Sequence, residues 1–193
     1  MSIWLTGCNA TPEPNIKDGG LLSGEPCGPP CFFDLIPGFS SRKDMVNKLH
    51  QYQLDRNCII NPQYNDEDMY VVCNDFSIIF DGFKEESDLI QQIVTKPENT
   101  VIKTIIDKYG KPDYVNIIVW GTVERYTTAN VIYIKEQLVI RLIELETRYE
   151  YIISDDALIK NFVYIDETTL TTLLQDPQTQ LWYGNGIYKF SNK

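Results

Sequence analysis

An α+β fold is predicted for this chain: two tandem repeats, each a helix packed on an antiparallel β-sheet, after a disordered N-terminal tether. Three observations predict it. Pro and Gly crowd the segment Asn9 to Pro30 and then thin out. Two helical patterns, "GFSSRKDMVNKLHQYQ" and "NTVIKTIIDKYGKPDY", occupy equivalent places. Each is followed by short β-branched and aromatic runs separated by polar turns. The expected units are residues 1–30 as signal remnant and tether, 31–97 as the first repeat and 98–193 as the second.

Composition bounds what such a chain does. Apolar residues are 43% of the 193, with 12 Tyr, 8 Phe and 3 Trp for bulk, enough for a packed core. Lys and Arg total 17 against 27 Asp and Glu, a formal charge of −10. With no basic stripe, that surface repels phosphate backbones, so no nucleic acid is expected as partner. No run approaches the roughly 20 apolar residues of a membrane-spanning helix.

The tether comes first. Pro12, Pro14, Pro26, Pro29 and Pro30, with Gly19, Gly20, Gly24 and Gly28, favour neither helix nor sheet. Ahead of it, Leu5-Thr6-Gly7-Cys8 resembles the bacterial lipobox. That resemblance implies lipidation of Cys8, loss of the residues before it, and a membrane anchor made of acyl chains.

With Cys8 lipidated, Cys27, Cys31, Cys58 and Cys73 remain, an even number suited to an oxidising compartment. Four cysteines allow three pairings. Cys58 and Cys73 flank "IINPQYNDEDMYVV", two β-rich runs around a polar turn, and a hairpin would set them opposite each other. Cys27 and Cys31 would then pair across Gly-Pro-Pro. The same two thiols, with the single His at His50, also have the makings of a metal or redox site, although no βαβ pattern surrounds them.

In the first repeat, Pro37-Gly38 marks a turn and Ser41 caps a helix with Asp44 three residues on. Met45, Val46, Leu49 and Tyr52 share one face, and His50 lies off it. "MYVVC", "FSIIFDGF" and Leu89 to Lys96 read as strands. In the second repeat, Val101, Ile102, Ile105, Ile106 and Tyr109 form a helical face that Gly110 and Pro112 end. "NIIVWGTV", "NVIYIK", "QLVIRLIELE" and "ALIKNFVYI" read as strands, "DETTLTTLLQDP" as a short helix from Asp166, and Asn185-Gly186 as a turn.

"DLIPGFSSRKDMVNKL" is similar to the helix opening of small envelope lipoproteins related to the outer-membrane assembly lipoproteins. "IIDKYGKPDYV" is similar to the helix-Gly-x-Pro element of the β-lactamase inhibitory protein repeats. "GPPCFFDLIPG" and "WYGNGIYKF" resemble lipoproteins of filamentous green bacteria. The resemblance implies the repeat fold and an extracytoplasmic, lipid-anchored location, and it implies no enzyme.

The residues themselves offer no catalytic set. A Gly-x-Ser-x-Gly elbow, a Walker motif and Gly-x-Gly-x-x-Gly are all missing from the sequence. "NDEDMY" lacks the spacing and central Gly of a calcium loop. Trp120, Tyr126, Tyr133, Trp182 and Tyr183 lie on or beside the second sheet, and its strands are apolar on both faces. Trp120 and Tyr133 are therefore the expected partner-binding residues. The expected function is a non-enzymatic, protein-binding or assembly lipoprotein of the cell envelope, with no cofactor or metal; the alternative is a secreted hydrolase, or an inhibitor of one.

Overall fold

The computed structural model describes residues 20–55, 58–64, 68–80, 89–121, 126–146 and 150–190. Cys8 and the acidic turn at 65–67 lie outside them, as does the rest of 1–19. The first helix, α1 (Arg42–Gln51), starts as expected: Ser41 accepts from the Asp44 amide, and the Asp44 carboxylate accepts from the Ser41 amide at 2.8 Å. Met45 and Leu49 face the core, whereas Val46 is exposed. A meander follows: β1 (Cys58–Tyr64), β2 (Asp68–Cys73), β3 (Phe76–Phe80) and β4 (Ile90–Thr95). Helix α2 (Ile102–Tyr109) ends at Gly110, whose φ of +84° suits a residue without a Cβ. Next come β5 (Tyr114–Trp120), β6 (Tyr126–Tyr133), β7 (Leu138–Leu142), β8 (Glu150–Ile153) and β9 (Ile159–Ile165). Helix α3 (Glu167–Gln175) is capped by Asp166, which accepts from the Thr169 amide at 2.7 Å. Strands β10 (Thr179–Leu181) and β11 (Gly186–Lys189) close the chain.

The pairing overturns the two-repeat expectation. Nine strands form one antiparallel sheet in the order β1-β2-β3-β4-β9-β7-β6-β5-β10, and β8 pairs with β11 separately. Strand dominates, with three helices among the described residues, and no helix covers a sheet of its own. The joint is β4 against β9, where Ile93 opposes Tyr164 and Val94 opposes Val163. From Phe162 to Ile165 β9 is apolar on both faces, and β4 brings Ile93 and Val94 to the seam, so two separate sheets would each expose apolar residues on an edge with unpaired backbone groups. Joining them removes both edges.

Residue parity then assigns the faces. Val71, Ile78, Ile93, Tyr164, Ile140 and Val131 point to one face and share a core with Met45 and Leu49 of α1 and Ile102 and Ile105 of α2. Ile132, Val139, Val163 and Ile165 point to the other, where Leu170 of α3 packs on them.

Residues 20–30 are not a disordered tether. Leu21 is fully buried in the α1/α2-face core. The Tyr109 hydroxyl donates to the Leu21 carbonyl at 2.5 Å, and Lys108 donates to the Leu22 carbonyl. Proline-rich chain without a ladder of its own is held by side chains of α2 and by one apolar anchor.

The Asn185-Gly186 turn stands at a bend of the chain where β11 begins. It leads the chain from β10, at the edge of the large sheet, to β11 on β8.

Candidate functional site

Two places carry groups of functional interest: the loop around Cys27 and Cys31, and the α3 face of the sheet.

All four cysteines described are bonded as Cys27–Cys31 and Cys58–Cys73. Cys58 and Cys73 are direct partners across the β1–β2 hairpin, with Cα atoms 4.1 Å apart. The loop between them, 15 residues in sequence, makes this bond a staple of about 3 kcal/mol on the chain-entropy model.

The Cys27–Cys31 bond sits in a different setting. Both residues are half-buried, and three of the next four lock into the core: Phe32, Phe33 and Leu35 are buried, with Asp34 exposed between them. Phe32 packs edge-on to Phe33 and against Phe76 and Tyr164, and Phe33 lies against Tyr52. To bury both neighbours while keeping Asp34 out, Phe33 and Asp34 adopt φ of +48° and +61°. Non-glycine residues in that region store strain. The Asp34 amide donates to Cys27 Sγ at 3.3 Å. Its carboxylate accepts from Lys48 Nζ at 2.9 Å and from the Tyr52 hydroxyl at 2.8 Å. The Lys48 bond, then the Tyr52 bond, hold the Asp34 carboxyl below the ordinary carboxylate range. Burial, then Asp34, pushes the Tyr52 hydroxyl up. Cys27, Cys31 and Asp34 place their ligand atoms within 4.8 Å of one another. With the sulfurs bonded to each other, the set offers a cation only the carboxylate that Lys48 already neutralises.

His50 joins neither place. It is exposed on α1 and pairs with Asp55 at 3.2 Å, and no serine or cysteine hydrogen-bonds to it among the described residues.

On the α3 face, one row of direct cross-strand partners runs Tyr114, Ile132, Val139, Val163, Val94, Ser77, Val72, Ile59. Helix α3 covers the part on β6, β7 and β9. Beyond it the row emerges: Val72 is 39% exposed and Ile59 72%. At the opposite corner of the same face, Trp120 stacks on Tyr126, its partner across the β5–β6 pair, with centroids 4.8 Å apart. Trp120 is 45% exposed, and Ile118 beside it is open too.

Tyr133 does not share this exposure. It lies on the α1/α2 face, 2% exposed, with its hydroxyl donating to the Gly110 carbonyl at 3.1 Å. Burial, then Glu136 and Asp113, pushes that hydroxyl well above the usual tyrosine range. Tyr133 is a core residue, and its expected place at a binding surface is corrected. Of the other aromatics, Trp182 and Tyr183 stack on buried Tyr188 beside the small sheet.

Sequence reading missed a polar row next to α3. Thr179, Asn116, Asn130, Arg141 and Asn161 are successive cross-strand partners. Asn116 donates to Thr179 Oγ1 at 3.0 Å, and Arg141 Nε donates to Asn130 Oδ1 at 3.2 Å. The three asparagines are buried, and Asn116 Oδ1 has no hydrogen-bond partner among the described residues. The available signal was one Asn inside each of three strands rich in apolar and aromatic residues, "YVNIIVW", "YTTANVIY" and "IKNFVYI".

Comparison with protein-family models, curated proteins and solved structures finds no match to this chain.

Proposed function

We propose that this chain is a non-enzymatic, extracytoplasmic binding or assembly module, anchored by lipid at Cys8, that docks a partner protein on the α3 face of its sheet. One observation carries the docking reading. One cross-strand row, apolar except at Ser77, is sealed by α3 over half its length and left open at Val72 and Ile59 on the disulfide-stapled hairpin. Apolar surface continuous with a core marks interaction sites. The half-exposed Trp120–Tyr126 stack supplies an aromatic of the kind that anchors interfaces. Two disulfides suit an oxidising compartment.

Photo-crosslinking in intact cells tests it. A photoreactive residue at Ile59 or at Trp120 is expected to give discrete protein adducts, and one at exposed Lys43 on α1 is not. Adducts of equal yield from Lys43, or none from Ile59 and Trp120, overturn docking on this face. Trp120→Ala is expected to leave the melting temperature nearly unchanged, whereas Tyr133→Ala costs about 3–5 kcal/mol. Metabolic fatty-acid labelling lost in Cys8→Ser is the expected sign of the anchor, and labelling that persists refutes it.

A further inference from the structure

We propose that Cys27–Cys31 is a thiol–disulfide exchange site that accepts two electrons from an external dithiol, with Cys31 the sulfur attacked and Cys27 the leaving thiolate. Four observations converge on it. The bond is half-exposed, so a donor can reach it. Its loop is held without it: Leu21 on one side and Phe32, Phe33 and Leu35 on the other are buried independently. Two consecutive non-glycine residues beside it have positive φ, a backbone strain of the kind that clusters at functional sites. The two sulfurs also differ, because among the described residues only Cys27 Sγ accepts a backbone N–H, that of Asp34 at 3.3 Å. A donated hydrogen bond favours the thiolate and so the leaving group. The charged group beside the pair is Asp34 of its own loop, whose Oδ2 accepts from Lys48 Nζ of α1 and from the Tyr52 hydroxyl. Asp34 lies within 4.8 Å of both sulfurs, so its charge opposes ionisation of both, and Lys48 offsets it.

The exchange balances. A donor thiolate attacks Cys31 Sγ, the Cys27–Cys31 bond breaks, and Cys27 leaves with the electron pair. The donor's second thiolate attacks the donor sulfur now bonded to Cys31. The donor becomes a disulfide, Cys31 is released, and the two protons the donor lost end on Cys27 and Cys31.

The test uses the whole protein in dithiothreitol of graded concentration, with differential alkylation and peptide mapping. Cys27–Cys31 is expected to open at least about tenfold faster than Cys58–Cys73. The selectively reduced protein is expected to keep its circular dichroism and melting temperature. Equal or slower opening, or loss of the fold when this bond alone opens, overturns the proposal. Iodoacetamide alkylation against pH gives an independent arm. The Cys27 thiol in Cys31→Ser is expected to react with a lower pH midpoint than the Cys31 thiol in Cys27→Ser. Equal midpoints or the reverse order overturn the assignment of the leaving sulfur.

Discussion

Tyr151 shows what burial does to one ionisable side chain. It stands on β8, 3% exposed, and its hydroxyl donates to the Ile143 carbonyl at 2.7 Å. Burial pushes that hydroxyl up to about 12. In the unfolded chain it titrates near about 10. The folded state therefore keeps a proton that the unfolded state releases, and the neutral side chain favours folding fully only below about pH 10. Its stabilisation is lost as pH rises from there through about 12. Tyr133, raised by burial in the same core, acts in the same direction. Tyr151→Phe is expected to cost about 1 kcal/mol at neutral pH, for the lost hydrogen bond. It should also make the alkaline decline of stability shallower. Urea midpoints measured from pH 7 to 11 in both proteins check this, and parallel curves would contradict it.

At the scale of elements, the segment 20–30 departs most from what its composition suggests. Gly20 has φ of +80°, and a Cβ there would lie 2.8 Å from the carbonyl oxygens of both Glu25 and Cys27. The turn it makes is closed by the Gly24 amide on its own carbonyl at 2.7 Å. Gly20→Ala is expected to destabilise by about 1–3 kcal/mol through backbone strain, and Leu21→Ala by about 2–5 kcal/mol through the cavity it leaves. Chemical denaturation measures both, and two unchanged midpoints would return the segment to the role of a tether. Its composition hid this because Pro and Gly report only the absence of a ladder, and the partners are Lys108 and Tyr109, far along the chain. Elements whose signals are local were legible. The Ser41–Asp44 capping box, the Gly110 stop, the Asp166 cap and the Cys58–Cys73 hairpin all appear where the sequence puts them. The start of α2 was not marked by a cap. Val101 makes no side-chain cap bond, and the Ile102 and Lys103 amides reach the carbonyls of Ala157 and Asp155 instead. Trp120 and Tyr133 look equivalent in sequence because their strands carry apolar residues on both faces. Only the β5–β6 register, with Trp120 opposite Tyr126, shows that they point to opposite sides.

At the scale of the molecule, the question is whether 31–97 and 98–193 fold as separate units or as one. The seam between them is the β4–β9 pairing, Gln92 to Thr95 against Ile165 to Phe162. It lies in the middle of the nine-stranded sheet. Cutting the chain there would expose Ile93 and Val94 on one piece and Val163 and Tyr164 on the other, all on edges with unpaired backbone. The core beneath is shared as well. Phe32 and Phe76 from the first part meet Tyr164 from the second, and Gly38 donates to the Ile90 carbonyl at 2.7 Å close to the Asp166 cap of α3. Neither half keeps a complete core without the other, so the intact chain should unfold in one cooperative transition. Circular dichroism and Trp fluorescence are expected to give the same urea midpoint. Phe162→Ala on β9 should cost about 3–5 kcal/mol. It should also lower hydrogen-exchange protection on β2 and β3, three and two strands away from β9 and on the far side of the seam from the mutation. Two resolved transitions, or full protection of β2 and β3 in Phe162→Ala, would show two independent units in place of one sheet.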